Sequence, residues 1–234
     1  MKTARFSYDE GRNVTLSGDK GIVLSGQITK QLRLGVNRCQ VVQIKLLAGL
    51  RTPTGVNLPN VVVAKVYDPY LLRISWNPKA TLEERIEYAA EICHTEAAAC
   101  ETLGVNAEVR KRLAPFYGVY KFKVNEDSEE YYAILLGFCE GRSPYGLSQT
   151  IANKVVEQLR DFLNQCHALG VAHCDIKAHN LFVNDNGDLL FLFDWAFATL
   201  RSAVSASSFN DGCKSDIRAL KTLAMYMTEE PETS

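Results

Sequence analysis

Polar residues with chemical potential stand close together between positions 173 and 180, in the stretch HCDIKAHN. Asp175, Lys177 and Asn180 bring a carboxylate, an ammonium and an amide into one short segment. A carboxylate held in a loop can accept the proton of a hydroxyl group or orient that hydroxyl, and a nearby ammonium can hold a transferring phosphate. Asp175 and Lys177 could equally form a surface ion pair of little energetic consequence.

A further aspartate, Asp194, follows a run of apolar residues and closes a predicted β-hairpin. NLFV and DLLFLFD are strand-like, and the Asn-Asp-Asn-Gly sequence at 184–187 is typical of a turn. Antiparallel pairing about this turn brings Asn180 and Asp194 to the same end of the hairpin. An amide oxygen and a carboxylate suit a hard cation such as Mg²⁺, and the alternative is a capped turn with a structural aspartate at the strand end.

A second candidate pair lies earlier in the chain. Lys65 interrupts the β-branched run VVVAKVY, and a buried ammonium there needs an opposite charge or an anionic ligand. Glu96 falls on the apolar side of a predicted helix, three residues after Cys93 and four before Cys100. We therefore expect Lys65 and Glu96 to form a pair. In the alternative, the lysine stem lies along the sheet and its ammonium reaches water.

The elements that must position these residues form a strand-rich first half and a more helical second half. β-Branched runs between turn residues predict strands over GIVLSG, QITKQLRLG, QVVQIKLLAG, NVVVAKVYD, VRKRLAPFYGVYKFKV and YYAILLGFC. Thr81 and Glu84 have the spacing of a capping box at a helix start. Apolar residues at helical spacing predict helices over 81–100, 148–169 and 216–228.

Composition narrows the class of protein. The 234 residues are 47% hydrophobic and 23% charged, which suits one large domain or two small lobes. A formal net charge of -1 does not indicate a nucleic-acid or membrane surface. The seven cysteines contain no CxxC pair, and the N-terminal stretch has no apolar signal core. We expect a reduced, intracellular protein in the cytoplasm, with the nucleus left open.

Together these motifs resemble those of eukaryotic-type protein kinases, to about residue 228. HCDIKAHN matches the catalytic loop His-Arg-Asp-Leu-Lys-x-x-Asn in register, DWA stands where the family has Asp-Phe-Gly, and VVAK resembles the third-strand lysine motif. The resemblance implies an α+β, two-lobed protein kinase-like fold. Its small lobe would be an antiparallel β-sheet with one helix, and its large lobe mainly α-helical and shortened. The implied boundaries are an N-terminal strand or extension at 1–20 and a kinase-like domain at 21–234, with small lobe 21–138, hinge 137–143 and large lobe 144–234.

The resemblance also implies ATP and Mg²⁺ as cofactors and a role for each site residue. Asp175 would be the catalytic base and Lys177 a contact to the γ-phosphate, while Asn180 and Asp194 would be the metal ligands. Asp216 would hold the backbone of the catalytic loop. The residues implied for ATP binding are Gly35 in the phosphate-covering loop, Val42 and Ala64 against adenine, Lys65 with Glu96 at the phosphates, Leu136 gating the pocket, and Gly137 and Cys139 offering backbone groups to adenine.

Several positions depart from the family pattern. In the phosphate-covering loop Asn37 and Gln40 replace two glycines, which predicts a looser grip on phosphate. Cys174 replaces the arginine that clamps a phosphorylated activation loop, so we do not expect activity to depend on such a phosphate. Ala196 replaces the glycine after the metal aspartate and predicts a stiffer backbone there.

The segment between Asp194 and Asp216 is short and lacks Ala-Pro-Glu, and the chain stops one helix later. The protein-docking surface of the family is therefore expected to be reduced. A regulatory partner or a homodimer could cover the shortened large lobe. Three serines in this segment are predicted to lie in a solvated loop: Ser205, Ser207 and Ser208.

These features favour an ATP- and Mg²⁺-dependent phosphotransferase of the Ser/Thr protein kinase type, acting on serine or threonine of a protein. The pattern HxDxxxxN followed by DW also resembles aminoglycoside and choline phosphotransferases, which phosphorylate small hydroxylated molecules. Lys177, two residues after the aspartate, is typical of Ser/Thr protein kinases instead. A third hypothesis is a pseudokinase or nucleotide-binding module that acts through a partner. Neither nucleic acid nor a membrane is an expected partner.

Overall fold

The β-branched runs of the first half form strands whose alternate residues are apolar, so that one face of each strand can be buried. The computed structural model describes residues 8–33, 39–47, 57–125 and 129–229. The first six strands are β1 (Asn13–Gly18), β2 (Val23–Arg33), β3 (Gln40–Leu46), β4 (Val61–Tyr67), β5 (Phe116–Val124) and β6 (Tyr131–Gly137). They close into an antiparallel barrel in the order β1-β2-β3-β4-β6-β5.

One face of the barrel strands forms a continuous apolar core. Its members are almost fully buried and include Val14, Leu16, Leu24, Ile28, Val42, Ile44, Val62, Ala64, Val66, Phe122, Ala133 and Leu135. Strand β1, set apart from the domain in the sequence-based boundaries, pairs with both β2 and β5 and closes the barrel. Its apolar residues Val14 and Leu16 belong to this core, which is the physical reason that the strand joins the sheet.

The first predicted helix is present as α1 (Leu82–Gly104) and ends four residues beyond its predicted end at residue 100. Its capping box is confirmed, because the Thr81 N–H donates to the Glu84 carboxylate at 2.6 Å and the Glu84 N–H donates to Thr81 Oγ1 at 3.2 Å. The strand predicted to begin at residue 109 is wrong over its first part. A short helix, α2 (Ala107–Arg110), lies there, and the Asn106 side chain caps it by accepting from two backbone N–H groups.

The second half contains α3 (Gln149–Ala168) and four short strands, which are β7 (Val171–Ala172), β8 (Leu181–Val183), β9 (Leu189–Leu192) and β10 (Thr199–Leu200). The Ser148 hydroxyl caps α3 by accepting from the Ile151 N–H. Gly170 follows the helix with a φ of +87°, a left-handed conformation that glycine adopts without a Cβ clash. Strands β8 and β9 form the predicted hairpin, and β7 pairs with β10.

The last helix, α4 (Ala206–Thr228), begins ten residues before its predicted start at Asp216. Ser205 is its N-cap and accepts from the Ser208 N–H at 3.2 Å, so the serines of this segment cap and open a helix rather than lie in a loop. The prediction missed residues 206–215 because Phe209 is the one buried residue that the structure shows there. A single apolar residue gives no helical periodicity. Asp216 is consequently a mid-helix residue.

The chain divides into two compact units, one of residues 1–97 with 115–138 and the other of residues 98–114 with 139–234. The first unit contains the barrel and the second contains the two small sheets and helices α2 to α4. The change of unit after residue 138 falls within the predicted hinge at 137–143, whereas residues 98–114 group with the second unit. The protein is a mixed helix and strand protein with a closed six-stranded barrel, and the two-lobed kinase fold stays a prediction.

Within the described ranges, no helix combines the length and the hydropathy needed to cross a bilayer.

Candidate active site

Lys65 lies on the face of β4 opposite the barrel core, because its neighbours Ala64 and Val66 point into that core. Its ammonium forms an ion pair with a carboxylate oxygen of Glu96 on α1, and the two side chains are only 8% and 2% exposed. The predicted pair is confirmed, and the arrangement with the ammonium in water is not the one observed. Whether the pair contacts phosphates stays a prediction.

Tyr67 is a third member of this cluster that sequence reasoning missed. Its hydroxyl donates to the same Glu96 oxygen at 2.6 Å, and the residue is fully buried. Burial, with the neighbouring carboxylate, holds the pKa of Tyr67 well above its usual value. The signal was present in the alternation of β4, since residues 65 and 67 share a face.

The structure does not bring the predicted adenine contacts Val42 and Ala64 to Lys65. These two residues are register partners on β3 and β4, and both are fully buried inside the barrel core. Burial of both side chains in the barrel core argues against the predicted contact of Ala64 and Val42 with adenine, which stays an untested prediction. Val63 lies instead on the lysine face of β4, and its register partner is Leu136, the predicted gating residue.

Gly137 and Cys139, which were predicted to offer backbone groups to adenine, lie at the end of β6 and two residues after it. The Gly137 N–H donates to the Pro115 carbonyl at 2.7 Å, so this donor is already used within the barrel unit. A Cβ at Gly137 would lie 2.8 Å from the Pro115 ring, which explains the glycine. Cys139 is half-buried, and burial raises the pKa of its thiol to about 11. Gly35 and Asn37 lie outside the described residues.

In the second unit, the loop that carries Asp175 is anchored by Asp216, which is buried in the middle of α4. The Asp216 carboxylate accepts the backbone N–H of His173 at 2.8 Å and that of Cys174 at 2.7 Å. A third donor, His167 Nε2, lies at 2.8 Å and was not predicted. Asp216 therefore does hold the loop backbone, as the resemblance implied. Cys174 has a φ of +64°, a conformation unfavourable for a residue with a side chain.

His173 joins this loop to the hairpin that ends at Asp194. The Asp175 N–H donates to His173 Nδ1 at 3.2 Å, and His173 Nε2 donates to the Phe193 carbonyl at 2.9 Å. Because Nδ1 accepts and Nε2 donates, the ring is the neutral tautomer with its proton on Nε2. The ring is fully buried, and burial lowers the pKa of His173.

Asp175 and Lys177 form the ion pair that their spacing allowed, with Lys177 Nζ at 2.6 Å from Asp175 Oδ1. The lysine side chain is 53% exposed and the aspartate side chain is 19% exposed. An exposed pair of this kind contributes little to stability. The ammonium is therefore able to leave the carboxylate for another anion at small cost.

Asn180 and Asp194 lie at the same end of the hairpin, as predicted. The register pairs Leu181 with Leu192, and the Phe193 N–H donates to the Asn180 carbonyl at 2.8 Å. Asn180 Nδ2 donates to the Asp175 carbonyl at 3.0 Å, which fixes how the buried amide is turned. Asp194 has a left-handed backbone, with φ 69° and ψ 63°.

The donor set of this hairpin end suits Mg²⁺, because amide and carboxylate oxygens are hard ligands and no thiolate is needed. In the portion of the chain that the structure describes, no group of three or more His, Cys, Asp or Glu could hold a metal. Two protein ligands are enough for a magnesium ion that is also held by phosphate oxygens. Asn180 and Asp194 thus fit the implied group.

The segment after Asp194 is held against the loop by contacts that do not involve phosphate. Strand β10 pairs with β7, and Cys174 Sγ lies 3.4 Å from Thr199 Oγ1. The Arg201 N–H donates to the Gly170 carbonyl and its guanidinium donates to the His167 carbonyl, each at 2.9 Å. These long-range contacts had no signal in the sequence, since none of the residues is unusual in type or spacing.

Comparison with known proteins gives partial matches to protein kinases. No protein-family model matches the chain. A segment of 57 residues is 39% identical to the CBL-interacting serine/threonine-protein kinase 20 of Arabidopsis thaliana, covering 24% of this chain and 13% of that protein. A segment of 85 residues is 32% identical to the probable serine/threonine-protein kinase FMP48 of Saccharomyces cerevisiae, covering 30% of this chain and 23% of that protein. The matches span less than a quarter of each relative, and they support a kinase-like relationship at most.

Proposed function

We propose that the chain is an ATP- and Mg²⁺-dependent phosphotransferase of the Ser/Thr protein kinase type. The observation that carries the proposal is the chain of hydrogen bonds that links Asp175, Asn180 and the residue before Asp194 within one unit. A base candidate and two metal-ligand candidates are thereby held in a fixed relation. The partial similarity to two serine/threonine kinases supports the same reaction class.

Asp175 is the candidate base. Its carboxylate is partly exposed, and its loop is fixed by His173 and Asp216. It would orient the acceptor hydroxyl and take its proton as the phosphate is transferred. The Lys177 ammonium would leave Asp175 and hold the transferred phosphate, which frees the carboxylate for the hydroxyl.

Asn180 and Asp194 would hold the magnesium ion, which would neutralise phosphate charge and orient the nucleotide when bound. In the barrel unit, Lys65 would contact the α- and β-phosphates and Glu96 would orient its ammonium. This role agrees with the burial of the pair, since taking an ammonium and a carboxylate out of water is expensive and a use for the charge would explain why they are kept.

A second candidate is a phosphotransferase for small hydroxylated molecules. It is favoured by the short stretch between Asp194 and α4, which comprises residues 195–205 and is occupied by a 3-10 helix, β10 and a turn. Little chain is left there to bind an extended peptide. We expect protein acceptors nevertheless, because Lys177 follows the base at the Ser/Thr kinase spacing.

An intracellular location and contact with a regulatory partner or a second copy of the chain also remain proposals. Among the described residues, Met225 and Tyr226 near the end of α4 are exposed apolar side chains, at 52% and 49%. They are where contact with a partner would be sought first.

The test is transfer of labelled γ-phosphate from ATP by the full chain to itself, to a generic basic protein and to a panel of small hydroxylated acceptors. We expect wild-type protein to label the protein acceptor and Asp175→Asn to bind Mg-ATP without transfer. The matched control is Asp185→Asn, an exposed aspartate in the hairpin turn, which should transfer like wild type. Labelling of small acceptors alone would establish the second candidate.

Thermal melting with millimolar Mg-ATP separates a binder from an enzyme, since a ligand that binds the folded state raises the melting temperature. A shift without transfer to any acceptor would identify a pseudokinase. No shift at all would rule out both enzymes.

A further inference from the structure

The Glu96 carboxylate receives two donors from one strand. Lys65 and Tyr67 of β4 are two residues apart, share a face of the strand, and both reach the same Glu96 oxygen on α1. The Tyr67 ring also lies near the ammonium, with Lys65 Nζ 5.5 Å from the ring centroid. Tyr67 thus contacts both members of the ion pair.

We propose that Tyr67 is a positioning residue that holds Glu96 in its paired orientation, so that Lys65 is preorganised before a nucleotide binds. The inference deepens the proposed function and rests on it, because the purpose of the preorganised ammonium is to meet phosphate. Tyr67 does not touch the reacting groups and acts through Glu96.

The first argument is the cost of an unpaired charge. Glu96 is 2% exposed, and a buried carboxylate without a donor is strongly unfavourable. When the Lys65 ammonium turns toward an anionic ligand, its bond to Glu96 weakens. The Tyr67 hydroxyl stays on the carboxylate at that moment, so Glu96 keeps a donor and does not need to turn to water.

The second argument is rigidity. A lysine side chain has four rotatable bonds and can follow a moving partner, whereas the tyrosine hydroxyl is fixed by a ring that is completely buried. The hydroxyl therefore defines the position of Glu96 more sharply than the ammonium does. The raised pKa of Tyr67 keeps the hydroxyl protonated, and so a donor, throughout the working pH range.

The barrel unit contains a matched control. Tyr8 is also buried, and its hydroxyl donates to a buried carboxylate, that of Asp68, at 2.9 Å. Tyr8→Phe and Tyr67→Phe each remove one tyrosine–carboxylate hydrogen bond from the same unit. Only the second substitution touches the Lys65–Glu96 pair.

The binding experiment uses the full chain and Mg-ATP, with dissociation constants from calorimetry and turnover from the phosphate-transfer assay. Tyr67→Phe should weaken Mg-ATP binding and raise KM for ATP about tenfold, since only a fraction of the protein then has the ammonium in place. Its kcat should change less than about twofold, because nucleotide-saturated enzyme already has the Lys65 ammonium in place at the phosphates. Tyr8→Phe should leave both constants as in wild type. Equal affinity of Tyr67→Phe and wild type for Mg-ATP would overturn the inference.

A second measurement separates this inference from the proposed function. A double-mutant cycle of Tyr67→Phe and Glu96→Gln, read by urea unfolding without nucleotide, reports the coupling between hydroxyl and carboxylate. If the cycle shows coupling but the wild-type protein does not bind Mg-ATP, the proposed function is wrong. Tyr67 is then still the residue that orients Glu96. Additive effects of the two substitutions would overturn the positioning role whatever the protein binds.

Discussion

Asp216 accepts the backbone N–H of Cys174 at 2.7 Å, across 42 positions of the chain. The same carboxylate also accepts the N–H of His173, so a single buried side chain in α4 fixes two consecutive peptide groups of the loop that presents Asp175. This anchor stabilises the left-handed backbone of Cys174, which would otherwise be unfavourable.

Asp216→Asn should therefore loosen the loop without changing side-chain volume. An amide offers one oxygen where two N–H groups and His167 need acceptors, so at least one buried donor loses its partner. We expect unfolding to become easier by about 2–4 kcal/mol, measured by urea denaturation, with a large loss of turnover. Asp211→Asn, an exposed aspartate on the same helix paired with Lys214, should change neither by much. Equal stability of the two variants would contradict the anchor.

Lys65→Met should leave Glu96 buried without the lysine ammonium, while the Tyr67 hydroxyl still donates to its carboxylate. Removal of one partner of a buried ion pair costs about 3–5 kcal/mol, and the tyrosine hydroxyl should reduce that loss. Phosphate transfer should be abolished in folded protein, as judged by circular dichroism and the labelled-ATP assay. Lys45→Met removes an exposed lysine from β3 and is the control. Unchanged turnover in Lys65→Met would remove this residue from the phosphate role.

Asp194→Asn should lose the Mg²⁺ dependence of nucleotide binding, since an amide is a poorer ligand for a hard cation than a carboxylate. The measurement is calorimetric titration of ATP with and without Mg²⁺. Wild type should bind at least about tenfold more tightly with the metal, and the variant should bind equally with and without it. The same enhancement by Mg²⁺ in both proteins would place the metal elsewhere.

Acid should destabilise the loop through His173. Burial lowers the pKa of the imidazole in the folded protein below its ordinary value of 6.5. The carboxylates of Asp216, Asp194 and Asp175 favour the charged ring and oppose this shift, but burial has the larger effect. Between the two pKa values the unfolded chain binds more protons than the folded chain. The contribution of the neutral His173 to the free energy of unfolding should hence be fully present above pH 6.5. It should be lost progressively as the pH falls below 6.5.

This pH dependence is measured by urea unfolding at a series of pH values from 7.5 downward. His173→Gln should show a shallower decline than wild type, because the depressed titration is gone. His94→Gln, which removes an exposed histidine of α1, should retain the wild-type slope. A His173→Gln slope equal to that of wild type would exclude His173 as the cause.

Phosphatase treatment should leave turnover unchanged. Strand pairing of β10 with β7, the contact of Cys174 with Thr199 and the two Arg201 bonds order the segment after Asp194 without a phosphate. The check is mass spectrometry of the treated protein followed by the transfer assay. A loss of more than about tenfold on dephosphorylation would mean that these contacts are insufficient to order the segment.

Local patterns were enough to predict most of the longer strands and helices and two of the pairings. The capping box at Thr81, the turn at 184–187 and the single acidic residue on the apolar side of α1 depend on neighbours a few positions away. They located the helix start, the shared end of Asn180 and Asp194, and the Lys65–Glu96 pair. Alternation along β4 also predicts that Ala64 lies on the strand face opposite Lys65, as the structure shows.

The tertiary structure alone decided the relationships that join distant parts of the chain. Closure of the barrel by β1, the reach of Tyr67 to Glu96 and the three donors on Asp216 each join segments that are far apart in sequence. A helix or turn is specified by side chains within one or two turns of each other. A buried tyrosine or aspartate, in contrast, is compatible with many partners until packing brings one donor or acceptor within hydrogen-bond distance and excludes water from the rest.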